Sequence, residues 1–279
     1  MTSHGRWSPA ADGGRTSDPA TAVNRHAATL RDLHRPGTPL LLPNVWDCSS
    51  AYAVVAAGLP AIATSSAAIA DSLGYRDGEA APVGQMLDAI ARVAAAVPVP
   101  VTADLERGYR MSPAELVERL AATGAAGCNL EDSDPGTGEL LDVGRQADFL
   151  AAVRAAAREQ GLDLVLNARV DTYLRPPRDA TSTLDETVRR ARRYRAAGAD
   201  CVYPIGLAEE SAIAEVVASA EAPVNILARG GGGLGRLAGL GVARISFGPH
   251  LYRAARGHLD ETVAGYLADV APRRAPGDQ

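Results

Sequence analysis

The chain of 279 residues is 47% hydrophobic with a formal net charge of -5 and only 4% aromatic residues, and it has no basic run, which excludes a nucleic-acid groove or a basic membrane-surface helix as its main business. All 28 basic residues are arginine, so chemistry through a lysine Schiff base is excluded. Cys48, Cys128 and Cys201 are too dispersed for a disulfide framework or a structural zinc site and read as small, buried apolar residues of a protein in a reducing compartment.

In chain order, residues 1–21 combine Gly, Ser, Thr, Asp and Pro without an apolar stretch and read as a disordered tail rather than a signal peptide. An extra helix follows, from Ala22 to Leu33. From residue 40 onward short apolar runs alternate with helical patterns, at 40–45, 61–66, 99–105, 127–132, 164–170, 201–206, 223–228 and 244–249. The stretches between them, such as Pro113 to Thr123 and Thr183 to Ala197, are amphipathic. Several are followed by Ala-Gly-Ala or Ala-Gly-Leu, where glycine suits the left-handed residue that closes a helix. Strand then helix, eight times, predicts an α/β fold, a single (β/α)8 TIM barrel over 22–270. A doubly wound sheet would want a G-x-G-x-x-G turn after the first strand, and Pro43-Asn44-Val45-Trp46-Asp47 is not one. A last helix is expected near His258 to Val270, then a polar tail over 271–279. No run is apolar and long enough to span a bilayer, and the cytoplasm is the default compartment.

Strand ends of such a barrel converge on one mouth, and acids cluster there. Asp104 and Glu106 leave the third strand run on a shared face. An unpaired carboxylate in a barrel core is costly, so either a cation or salt bridges to Arg107 and Arg110 must balance them. Glu131 and Asp132, at the next strand end, would add ligands to the same mouth, and an oxygen-only set suits Mg²⁺ or Mn²⁺ rather than zinc. Arg169, at the fifth strand end, offers a planar fork to a carboxylate or enolate oxygen, or else pairs with Asp171 or Glu131; both roles can hold together. Thr64, Ser65 and Ser66 supply the hydroxyls and amides of a carboxylate or oxyanion cradle. Arg229 to Gly233 is either a phosphate-binding loop or a plain glycine loop, and His250, after Gly-Pro at a helix start, reads as structural.

These residues resemble the isocitrate lyase and phosphoenolpyruvate mutase superfamily, from about Asn44 to Ala255. Its D-x-D-x-G-Y-G stands here as Asp104-Leu105-Glu106-Arg107-Gly108-Tyr109-Arg110, its G-x-x-x-E-D as Gly127-Cys128-Asn129-Leu130-Glu131-Asp132, and its A-R-T-D as Ala168-Arg169-Val170-Asp171. The run from Ser72 to Glu79 resembles S-L-G-x-x-D, and Ser49-Ser50-Ala51 the end of P-x-x-x-D-x-x-S-A. The resemblance implies Mg²⁺, or Mn²⁺, with Asp104 as nearest ligand, Glu106 and Glu131 holding the ion directly or through water, and Asp77 orienting them. It also implies that Arg169 binds the substrate carboxylate, that Thr64, Ser65 and Ser66, with Asp104 and Asn225, hold a pyruvate-like end, and that the shared chemistry stabilises an enolate.

Lyases of that superfamily carry K-[KR]-C-G-H on the loop after the fourth strand, whereas Ser133-Asp134-Pro135-Gly136-Thr137-Gly138-Glu139-Leu140 has no Cys, Lys or His. That departure argues against isocitrate or methylisocitrate cleavage. The missing lysine and asparagine of the mutases argue against phosphonate formation. Glu139 or Thr137 is left as the polar group for a proton relay. The expected activity is a Mg²⁺-dependent lyase or decarboxylase acting on a small 2-oxo or 2-hydroxy dicarboxylic acid. The alternatives are P–C bond chemistry, as a phosphoenolpyruvate mutase or phosphonopyruvate hydrolase, and a non-catalytic carboxylate-binding barrel. Partners are expected to be small molecules, with a homo-oligomer, tetramer or dimer, implied by the resemblance.

Overall fold

The structure, a computed structural model, describes residues 19–176, 182–228, 230 and 232–270. The expected tail at 271–279 and most of that at 1–21 lie outside the described residues, as do Arg229 and Gly231 of the glycine loop. Among the described residues nine short strands form: β1 (Leu40–Leu42), β2 (Asn44–Val45), β3 (Ile62–Thr64), β4 (Val101–Asp104), β5 (Gly127–Glu131), β6 (Val165–Val170), β7 (Cys201–Pro204), β8 (Asn225–Leu227) and β9 (Arg244–Ser246). They are eight staves, because the first apolar run is cut in two at Pro43, which has no N–H to give to a ladder. β1 pairs with β9 and β2 with β3, so the six parallel strands β2-β3-β4-β5-β6-β7 and the three of β1-β9-β8 meet at the proline. A parallel bridge between Val202 and Val224 closes the other side. Asn44 staples the junction, donating to the Thr64 carbonyl at 2.9 Å and accepting from the Phe247 and Gly248 amides at 2.9 and 2.8 Å.

Helices α1 (Pro19–Asp32), α2 (Cys48–Ala56), α3 (Ser66–Ser72), α4 (Val83–Ala96), α5 (Pro113–Ala122), α6 (Val143–Glu159), α7 (Thr183–Ala196), α8 (Glu210–Ser219), α9 (Leu234–Gly239) and α10 (His250–Val270) surround this ring. Outward-facing Cys128, Leu130, Leu166, Ala168 and Val170 pack against them in one buried cluster, while residues on the alternate face line the interior. α1 begins at Pro19, three residues before its expected start, with proline fitting the first helical turn. Its Ala27 and Leu30 pack with Leu40, Leu42, Ala61 and Ala126 at the strand beginnings, and Arg31 reaches Asp163 and Asp200 at 2.8 and 2.9 Å, so the helix plugs the bottom of the barrel.

Gly127 has a packing reason to be glycine: a Cβ there would collide with the Val165 carbonyl oxygen on β6. The Ser49-Ser50-Ala51 segment opens α2 with a capping box in which Asp47 accepts from the Ser50 amide at 2.7 Å while Ser50 Oγ accepts from the Asp47 amide at 3.1 Å. The last helix starts eight residues earlier than expected, and His250 Nδ1 lies 2.6 Å from the Phe247 carbonyl, a structural role. Tyr252 and Arg256 tie its first half to Asp71 on α3, each at 2.7 Å, whereas its second half leaves Tyr266, Leu267 and Val270 66–78% exposed. Cys128 and Cys201 are buried, their thiols pushed up to about 12 by desolvation, while Cys48 is half-buried. No helix among the described residues is long and apolar enough to cross a membrane.

Candidate active site

The end of β4 delivers Asp104 to the first turn of α3. Asp104 Oδ2 accepts from the Ser66 amide at 3.0 Å and the Ser66 hydroxyl at 2.8 Å, and the Asp104 amide donates to Thr64 Oγ1 at 2.9 Å. The same hydroxyl is 3.4 Å from Asp77 Oδ1, which brings Asp77 beside Asp104. Ser65 accepts from the Ala68 amide as the cap of α3. The expected cradle of Thr64, Ser65 and Ser66 is therefore engaged with Asp104 and the helix, and it anchors a carboxylate of the protein itself. Burial, then the neighbouring Asp104, pushes the Asp77 carboxyl above its usual range.

Glu106 sits in a strained corner. Glu79, Glu106, Tyr109 and Arg110 all have positive φ, between 50° and 59°, in two loops that interlock. The Glu79 amide donates to Glu106 Oε2 at 2.6 Å, the Tyr109 amide to Glu79 Oε1 at 2.5 Å, and the Tyr109 hydroxyl to Glu106 Oε1 at 2.5 Å. Gly108 makes the turn between them, with φ of 101°. Burial raises the Glu106 carboxyl to about 7 against the Tyr109 hydrogen bond, with Asp77 and Asp104 adding to the rise. Salt bridges from Arg107 or Arg110 to Asp104 or Glu106 do not form: Arg107 lies over the Phe149 ring, 5.7 Å from its centroid.

Arg169 at the end of β6 takes the pairing role, with Asp171 and Glu131 together. Its Nη1 meets Glu131 Oε2 at 2.5 Å, while Nε and Nη2 take Asp171 Oδ1 and Oδ2 at 2.7 and 3.1 Å. Ser133 Oγ donates to Asp171 at 2.6 Å, so the first residue of the 133–140 loop helps set the arginine. Burial pushes the Glu131 carboxyl well up, opposed by Arg169. Asp132 corrects the expectation of a fourth mouth acid. It is fully buried and turned outward, accepting from Arg190 Nη1 at 2.9 Å, the Tyr194 hydroxyl at 2.7 Å and the Asp171 amide at 2.8 Å.

Asp104, Glu106 and Glu131 thus do not close on one point, and among the described residues no three His, Cys, Asp or Glu side chains are placed to hold a metal directly. The donor chemistry still fits a hard cation, because burial first and neighbouring carboxylates second push Asp77, Glu106 and Glu131 upward, against Arg169 and hydrogen bonds from Ser66 and Tyr109. Mg²⁺ characteristically keeps several waters, so carboxylates that do not converge on one point are compatible with it. Glu139 is exposed on the 133–140 loop, which closes on itself through a Ser133–Leu140 bridge. Beside that loop a cleft of about 530 Å³ is lined by Glu79, Arg107, Arg110, Asp134, Pro135 and Arg145. A larger cavity of about 960 Å³ lies between α7 and α8 on the outer flank, away from the strand ends.

Below the mouth the interior is polar. Asn129 Oδ1 accepts from Asn167 Nδ2 at 2.8 Å and from Arg244 Nη2 at 3.1 Å, and the amide of Asn225, expected to bind substrate, is fully buried with no protein partner. Sequence reasoning missed Tyr109, Glu79, Asn129 and Arg244. The signal available for Arg244 was a charge at the head of the strand run R-I-S-F.

Residues 30–267 match the sequence model of a family described as phosphoenolpyruvate phosphomutase. An uncharacterised protein of Mycobacterium tuberculosis (strain H37Rv) is 36% identical over 252 residues, covering 89% of this chain and 93% of its own length. A crystal structure of a Burkholderia cenocepacia J2315 protein, provisionally described as a phosphonomutase, superposes with a TM-score of 0.82 at 42% identity over 86% of this chain and 100% of that one. The structure of a 2,3-dimethylmalate lyase, described as a member of the phosphoenolpyruvate mutase/isocitrate lyase superfamily, gives a TM-score of 0.77 at 25% identity, covering 91% of this chain and 92% of that one.

Proposed function

Because the chain belongs to the phosphoenolpyruvate phosphomutase family, within the superfamily of lyases and mutases that act on 2-oxo acids, we propose that it is a Mg²⁺-dependent lyase or decarboxylase. Its substrate is a small 2-oxo or 2-hydroxy dicarboxylic acid. The observation that carries this reading is the juxtaposition of Asp104, fixed by both polar hydrogens of Ser66, with Arg169, fixed by the two oxygens of Asp171. A cation held there, ligated by Asp104 and through water by Glu106 and Glu131 and oriented by Asp77, supplies Lewis-acid polarisation of the substrate oxygens. Arg169 offers its guanidinium to the carboxylate or developing enolate oxygen, exchanging part of its contact with Glu131 as substrate enters. Ser65 and Asn225 complete the pyruvate-binding side, and Glu139 relays the proton from the 133–140 loop.

P–C bond chemistry is the second reading, favoured by the 42% identical phosphonomutase-like structure and opposed by a loop without Lys or Asn. The deciding experiment incubates purified protein with Mg²⁺ and oxaloacetate, a dimethylmalate, methylisocitrate or phosphonopyruvate, with and without EDTA. Pyruvate without phosphate, formed only with both enzyme and metal, supports the lyase or decarboxylase. Phosphate release, or phosphoenolpyruvate formed from phosphonopyruvate, replaces it with P–C chemistry, and silence across the panel favours a substrate outside it or a non-catalytic carboxylate-binding barrel. The exposed apolar end of α10 supports a homo-oligomer, for which light scattering at monomer mass would be the refutation.

A further inference from the structure

Arg244 is a charge without a counter-charge. It lies on the interior face of β9, fully buried, in register with Asn225 on β8. Its Nη2 donates to Asn129, its Nε and Nη1 have no partner, and no carboxylate forms an ion pair with it among the described residues. Asn167 and Asn225 beside it are neutral, and His34 approaches from the turn after α1 with its ring held neutral by burial and by Arg244 itself. A guanidinium does not discharge when buried, and a buried charge is retained only where something compensates it. The candidates lie upward. Asn129 is the register partner of Asp104 on the adjacent strand and stands two residues before Glu131 on the same interior face.

We infer that Arg244 is the internal counter-charge of the acidic mouth: from beneath Asp104, with Asn129 between them, it weakens cation binding and strengthens carboxylate binding in the site above. This rests on the mouth being the cation and carboxylate site. Arg244 is a positioning residue, since it reaches the site only through Asn129 and its field. It completes an interior in which Mg²⁺, Arg169 and Arg244 together offset the carboxylates, so that a dianionic substrate finds a site that is not repulsive.

The test uses the full chain, with Mn²⁺ and oxalate as probes, each affinity measured by calorimetry, and melting followed by circular dichroism. Arg244→Met is expected to bind Mn²⁺ more tightly and oxalate more weakly, each on the order of tenfold, the scale of a one-unit change in charge acting through the protein interior. Arg244→Lys should restore both affinities toward the parent. Affinities that stay at parental values, or move together, in folded Arg244→Met would overturn the inference. Should that variant fail to fold, Asn129→Asp decides, because it places a carboxylate on the unpaired guanidinium. The expected result is an unchanged or raised melting temperature with the same opposite shifts. A marked fall in melting temperature with parental affinities would show that Arg244 is already compensated elsewhere. If the parent binds neither probe, the reading of the mouth fails, and the Asn129→Asp melting temperature alone rules on the charge.

Discussion

Glu131 and Asp132 are neighbours on the chain and opposites in the fold. Glu131 turns into the barrel, where it joins Asp77, Asp104 and Glu106 against Arg169, an arginine that also serves Asp171. Asp132 turns out toward α7, where Arg190 and Tyr194 and the Asp171 amide meet it oxygen for hydrogen. Both carboxyls are pushed up by burial, yet one belongs to a balanced cluster and the other to a cluster with acids in excess. Balance inside the protein marks structure; imbalance marks a place that takes its partner from solution.

The largest effect should come from breaking the balanced side. Asp132→Ala leaves Arg190 buried without its inner partner, and urea denaturation should show a loss of about 3–5 kcal/mol. A loss inside about ±0.5 kcal/mol, as for an ordinary surface change, would erase the distinction. On the unbalanced side, Asp104→Asn should cost turnover at least about 100-fold, or about 2.7 kcal/mol. Its melting temperature without divalent cation should stay level or rise, since it relieves repulsion. A melting drop as large as that of Asp132→Ala would make Asp104 structural.

At the barrel bottom His34 gives the comparison a pH axis. Burial, then Arg244, holds its folded pKa at about 4 against 6.5 unfolded, so its stabilising neutral form is fully present above 6.5 and is lost as pH falls through 4. The stability lost over that window should be on the order of 3 kcal/mol, and His34→Gln should flatten it in denaturation curves at about pH 7 and pH 4.5. Glu106 has the opposite sign. Its folded pKa of about 7 lies above the ordinary 4.5, so its contribution is present below 4.5 and is lost as pH rises through 7. A cation at the mouth offsets that loss, and Mg²⁺ should raise the melting temperature more at about pH 8 than at about pH 5; equal shifts would detach Glu106 from the cation site.

The barrel was legible because eight apolar runs recur with amphipathic helices between them, and Asp104, Glu106, Glu131 and Arg169 were legible because a charge that ends an apolar strand is costly unless a partner meets it there. Asp132 was misread for a reason of one residue, since a strand's side chains alternate and no sequence signal says where the alternation stops. Its partners Arg190 and Tyr194 lie 58 and 62 residues away, a separation that only the closed ring resolves. The Glu79–Glu106–Tyr109 corner was hidden because left-handed backbone at non-glycine residues is unfavourable locally and is held by hydrogen bonds across loops. Pro43 was visible, but its consequence, two pairings for one apolar run, was not.

That proline changes what kind of object the barrel is. A ring laced continuously resists opening equally everywhere, whereas this one has two seams, one at Pro43 and one spanned by the Val202–Val224 bridge, with Asn44 as the clasp across the first. Mechanically it is a clamshell of six strands against three. Asp104, Glu131 and Arg169 all ride on the larger shell, so an opening at either seam would leave these three side chains on one side of it.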